Sequence, residues 1–139
     1  MRRSSKILSA TAGLILLAGI VLFTPYPVSG VPQWKLQILD ANGRPAAGAV
    51  IQQEWIDPDS EGEGTPTDTQ TSDSNGFVVF PEHRLRNRLA NGKSLTASAH
   101  VYICWDQHGQ MLYGQLYWSR PDPLPVALKL EVGPVCPYS

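Results

Sequence analysis

The chain has 139 residues, enough for one domain of ordinary size. Its 11 lysines and arginines nearly balance its 12 acids, but Arg2, Arg3 and Lys6 sit at the extreme N-terminus, so residues 31–139 carry about −4 (8 bases minus 12 acids). An acidic domain lacks the basic face that phosphate binding needs, which argues against nucleic acid as a partner.

The three N-terminal bases precede an uncharged run, residues 7–23, which contains Leu14-Ile15-Leu16-Leu17 and is followed by Pro25 and Pro27. A charged start, an apolar middle and a proline-broken exit read as an export segment. Residues 1–30 are therefore expected to form a hydrophobic helix, a signal or membrane anchor, and residues 31–139 a separate domain. The run is slightly shorter than the about 20 residues of a comfortable span. The reading taken forward is an uncleaved, single-pass anchor in a cytoplasmic membrane. Bases ahead of the run keep the N-terminus inside and place the domain on the extracytoplasmic (periplasmic) side. The alternative is cleavage near Gly30, after Val28-Ser29, which would release a secreted or periplasmic domain. Cys104 and Cys136 both fall in the exported part, where an even pair implies a disulfide.

Strand signals dominate from Trp34 onward. Residues 34–38 alternate, with Trp34, Leu36 and Ile38 on one face, and end at Asp40-Ala41-Asn42-Gly43, where Asn-Gly suits a tight turn. Residues 49–56 put Ala49, Ile51, Gln53 and Trp55 on one side. A polar loop over residues 57–75 follows, with a short edge strand at 67–71, and a β-branched and aromatic strand at 76–80. Residues 81–91 pull two ways. Leu85 and Leu89 have helical spacing while Arg84, Arg86 and Arg88 alternate as on a strand, and a short helical turn crossing between sheets is expected. Residues 95–105, a turn at 106–109 and residues 111–118 read as a hairpin, and residues 126–132 as a last strand with Val126, Leu128, Leu130 and Val132 on one face. About seven short strands with almost no helix make an all-β, Ig-like two-sheet sandwich the expected fold.

The stretch from Leu39-Asp40-Ala41-Asn42-Gly43-Arg44-Pro45 through Gly48-Ala49-Val50, followed by Thr71-Ser72-Asp73-Ser74-Asn75-Gly76-Phe77, resembles the carboxypeptidase regulatory-like domain, a prealbumin-type (transthyretin-like) sandwich. The family pattern is Asp-x-x-Gly-x-Pro, then Gly-Ala-x-Val, then Thr-Asp-x-x-Gly before a Phe-rich strand. The match covers roughly a third of the chain and implies a scaffold, because its residues are turn formers and core positions. Gln53-Glu54-Trp55 looks like a group of small membrane-anchored bacterial proteins. A fainter likeness to intradiol ring-cleaving dioxygenases, which share the fold and hold ferric iron with two Tyr and two His, is opposed by residues 56–62, which contain no Tyr. His83, His100 and His108 also form no His-x-His pair.

Three constellations carry candidate chemistry. Asp57, Asp59, Glu61 and Glu63 alternate in a Gly-containing loop, as Ca²⁺ ligands do, but without EF-hand spacing; a solvated loop is the plainer reading. Arg84, Arg86 and Arg88 could grip anionic lipid headgroups or an acidic partner, since each offers a bidentate fork; a solvated face offsetting the acidic loop is the alternative. Tyr113 and Tyr117 share one face of a hairpin strand, while Tyr102 and Cys104 share a face of its partner. Such residues pack a core or present a platform for sugar rings or a peptide. No nucleophile elbow exists, so catalytic residues and a cofactor are not expected. The functional expectation is a non-enzymatic binding or accessory domain that recognises a protein or envelope component. A metal-dependent enzyme related to the intradiol dioxygenases and a purely structural spacer are the alternatives.

Overall fold

A computed structural model describes residues 2–57, 64–87 and 96–136, with side chains from Thr11 onward. A helix, α1 (Arg2–Phe23), precedes ten strands among the described residues: β1 (Tyr26–Val31), β2 (Trp34–Leu39), β3 (Val50–Trp55), β4 (Thr67–Thr71), β5 (Phe77–Phe80), β6 (His83–Asn87), β7 (Ser98–Gln107), β8 (Gln110–Ser119), β9 (Ala127–Lys129) and β10 (Glu131–Gly133). They form a five-stranded sheet, order β10-β8-β7-β3-β4, a three-stranded sheet, order β5-β2-β9, and a two-stranded ribbon of β1 and β6. The chain is thus mostly β and sandwich-like behind one N-terminal helix. Ten strands among the described residues, in three sheets, already exceed the seven or so expected.

The period-two alternation explains the core. Trp34, Leu36 and Ile38 of β2, Val78 and Phe80 of β5 and Leu128 of β9 meet Ile51 of β3, Val101 and Ile103 of β7, and Leu112 and Trp118 of β8 in one buried cluster. Each of the two deepest indoles is satisfied: Trp34 Nε1 donates to the Pro125 carbonyl and Trp118 Nε1 to that of Asp122, both at 2.7 Å. The hairpin of β7 and β8 turns through His108 and Gly109, both at positive φ (54° and 84°), which matches the twist of a two-residue hairpin loop. Cys104 and Cys136 are disulfide-bonded, Cα atoms 5.7 Å apart, which ties the segment after β10 to β7.

The two Asp-x-x-Gly segments fold alike. Asp40 Oδ1 accepts from the Asn42 and Arg44 amides at 2.8 and 2.9 Å, and Asp73 Oδ1 accepts from those of Asn75 and Phe77 at the same two distances. Gly43 and Gly76 follow at φ 80° and 75°. Ser72, nearly fully buried, joins the two segments: its hydroxyl donates to the Ala46 carbonyl and accepts from the Ala49 amide at 2.9 Å.

Three expectations need correction. Residues 83–87 form a strand, with no helical turn among the described residues. β6 pairs antiparallel with β1, Val28 opposite Leu85 and Pro27 opposite Arg86, so Leu85 turns into the core while Arg84 and Arg86 stay exposed. The alternation of the arginines therefore outweighs the Leu85 to Leu89 spacing; Leu89 lies outside the described residues. Residues 126–132 break at Leu130: β9 runs parallel to β2, β10 antiparallel to β8. Leu128 and Leu130 are buried, but Val126 is 77% and Val132 50% exposed. Third, among the described residues no helix is long and apolar enough to cross a membrane.

The first strand of the ribbon begins just after α1, with Thr24 and Pro25 between them. Val31 at its end is fully buried. At Gly30 the ribbon closes so tightly that any Cβ would strike the His83 carbonyl, so only glycine fits. A cut after Val28-Ser29-Gly30 falls inside this strand.

Candidate functional site

The outer face of the five-stranded sheet, turned away from the core, is built by strand register. One cross-strand row reads Thr67, Glu54, His100, Tyr117; the next reads Thr69, Gln52, Tyr102, Gln115. A third runs Cys104, Tyr113, Glu131. These are the polar and aromatic members of each alternating strand, whose partners (Ile51, Val101, Ile103, Leu112) point inward.

Within the rows the side chains are mutually positioned. His100 and Tyr117 stack with ring centroids 4.0 Å apart and planes 5° from parallel, and Tyr102 flanks His100 at 5.3 Å. The Tyr102 hydroxyl donates to Glu54 Oε1 at 3.0 Å. Burial, then that hydrogen bond and the Glu54 charge, push the Tyr102 hydroxyl above its ordinary pKa, so it remains a donor. Tyr117 and Tyr113 hydroxyls donate at 3.4 Å to Gln115 Oε1 and Glu131 Oε2. Tyr117 remains 69% exposed, because β10 pairs only with Met111 to Tyr113 and leaves the far end of β8 an open edge. Val50, Gln52, Tyr102 and the disulfide line a cleft of about 220 Å³ on this face. The Nε2 of His100 is buried and has no hydrogen-bond partner among the described residues. The face offers hydroxyls, amides, the carboxylates of Glu54 and Glu131 and stacked rings, which suits hydrogen bonding and ring stacking.

A second cluster lies on the core side of the same sheet. His83 lies flat on Trp55, centroids 3.6 Å apart, and its Nε2 donates to Gln53 Oε1 at 3.0 Å. Gln53 is fully buried, and its Nε2 is unpartnered among the described residues.

The sequence candidates separate cleanly. Tyr113 and Tyr117 fall on the outer face, as their shared parity requires. Arg84 and Arg86 stand exposed on β6, a different element, with Arg84 Nε 3.7 Å from Glu82 Oε1; Arg88 lies outside the described residues. Of the acidic set only Asp57 is described; Asp59, Glu61 and Glu63 are not. Among the described residues no three His, Cys, Asp or Glu side chains gather as a metal site. His83 meets the core side of the sheet, His100 its outer side, and His108 the β7–β8 turn. Sequence parity identified the tyrosines but missed the His100–Tyr117 stack, which depends on the loop length that sets register. The chain matches no protein-family model and no curated protein.

Proposed function

We propose that this chain is an exported, non-enzymatic recognition domain on a carboxypeptidase regulatory-like (prealbumin-type) scaffold. It binds a protein or envelope component through the outer face of its five-stranded sheet. The observation that carries this reading is the exposed Tyr117 ring held upright by His100 within rows of hydroxyl and amide side chains. Exposed aromatic and polar side chains on a rigid sheet bind at small conformational cost, because the scaffold has already ordered them. The scaffold part of the reading is supported by the paired turns at Asp40 and Asp73, which follow the motif residues. The export part is supported by the three bases ahead of the apolar run.

Photo-crosslinking from position 115, beside Tyr117, in the native envelope tests it. A component captured by the parent chain and lost in Tyr117→Ala and His100→Ala, with thermal stability of both variants near the parent's, is the expected result. Capture unaffected by both substitutions sinks the sheet-face reading. Stoichiometric iron in the purified chain would instead favour the dioxygenase alternative.

A further inference from the structure

We infer that Arg84 and Arg86 form a contact site for the phosphate of anionic phospholipid headgroups, at the end of the ribbon where the apolar helix leaves the sandwich. This rests on the export reading above but is independent of the sheet-face site.

Four observations converge. The end of α1 is a sleeve of exposed apolar side chains, Leu16, Leu17, Ile20 and Phe23 among them, each more than half exposed. Such a surface is stable only against lipid or another apolar surface. Second, β1 begins three residues after Phe23, and Pro27 lies opposite Arg86. At about 3.3 Å per extended residue, the chain from Phe23 to Pro27 spans at most roughly 13 Å, which bounds how far the Arg86 pair stands from the helix end; Arg84 lies farther along the ribbon. With an arginine's reach, that brings Arg86 within range of the headgroup layer of a membrane into which the apolar end of α1 is sunk, without requiring the helix to cross it. Third, Arg84 and Arg86 share the outward face of β6, since Leu85 between them is buried. Fourth, Tyr26, the first residue of β1, is partly exposed at the same end, where amphipathic rings favour the membrane–water boundary.

Charge chooses the occupant. The domain as a whole is acidic, yet residues 81–88 hold three arginines against one acid, Glu82. That acid does not neutralise the site, for its contact to Arg84 is long and both groups are well exposed. Arg84 also lines an open groove of about 560 Å³ with Pro27, Val28, Gly30, Glu82 and Arg120, so two guanidiniums face one carboxylate there. The Arg120 guanidinium is held there by the Gly30 carbonyl at 3.1 Å. Guanidinium groups bind phosphate through two parallel hydrogen bonds, and an anionic phospholipid surface presents many phosphates side by side.

The test is flotation of the full chain with vesicles of phosphatidylcholine alone and of phosphatidylcholine mixed with phosphatidylglycerol. The parent should prefer the anionic vesicles, and the preference should weaken at high salt. Arg84→Gln and Arg86→Gln should each reduce anionic binding about fivefold without changing binding to neutral vesicles. Arg84→Lys and Arg86→Lys should retain most of it, since the charge remains. Equal binding of parent and glutamine variants to anionic vesicles overturns the proposal, as does displacement by inorganic phosphate at constant ionic strength, which would mark a free-anion site. A parent that floats with neither vesicle overturns the membrane contact and the anchored form of the export reading together. One that floats equally with both overturns only the headgroup site.

Discussion

The imidazole of His83 lies on the indole of Trp55 with planes 12° from parallel, and β6 is thereby clamped to β3 across the sheet boundary. The contact has a pH signature. Burial lowers the His83 pKa below 6.5, and the Asp68 carboxylate offsets part of that shift. The folded protein therefore binds a proton less readily than the unfolded chain. The His83 contribution to stability is complete above pH 6.5 and declines as the pH falls through 6.5 towards the lower folded-state value. Urea titrations above and below that pH should show the parent losing more stability on acidification than His83→Gln. Parallel curves for the two proteins would refute the clamp's pH dependence.

Gly43 and Gly76 occupy the same place in twin turns but differ in surroundings. A Cβ at Gly43 meets nothing within 4 Å, whereas one at Gly76 lies 2.5 Å from the Ile38 carbonyl oxygen. Gly43→Ala should cost only the positive-φ penalty, about 1–2 kcal/mol. Gly76→Ala should cost distinctly more, because a backbone oxygen must move. Chemical denaturation of both variants checks the order; equal losses would count against the close approach.

The Ser72 hydroxyl bridges the Ala46 carbonyl and the Ala49 amide. Ser72→Ala leaves two backbone groups without that partner in a buried place, for a loss of about 1–3 kcal/mol. Ser72→Thr, which keeps the hydroxyl, should recover part of the loss unless its added methyl is crowded. Thermal unfolding of the pair separates the hydrogen bond from the packing.

The disulfide closes a separation of 32 residues. In the chain-entropy model, Cys104→Ala with Cys136→Ala should lower stability by about 3–4 kcal/mol. Denaturation of the parent with and without a reductant gives an independent reading of the same quantity, and agreement between them is expected.

Much of this fold was legible because period-two alternation names inward residues without knowing their partners. Trp34, Leu36, Ile38, Ile51 and Gln53 all face inward as that pattern requires. Partner-dependent features were not legible. The first strand of the ribbon carries Pro27 and Gly30 and adjoins an apolar run, so nothing local marks it as a strand. Residues 126–132 alternate without interruption, and only their two partners, β2 and β8, reveal the break at Leu130. The same division holds in the site: parity puts Tyr113 with Tyr117, but setting His100 against Tyr117 needs a register fixed by the two-residue loop at His108 and Gly109.

The parallel pairing of β9 with β2 bears on how the molecule is made. Ile38 lies opposite Leu128, and Trp34 waits for the Pro125 carbonyl 91 positions later in the chain. A ribosome delivers the first of these partners long before the second. The nascent polypeptide therefore holds a half-paired, strongly apolar ribbon until residues 125–129 emerge, and contacts this distant in sequence close slowly. That interval, rather than any weakness of the finished molecule, is where its vulnerability to aggregation lies.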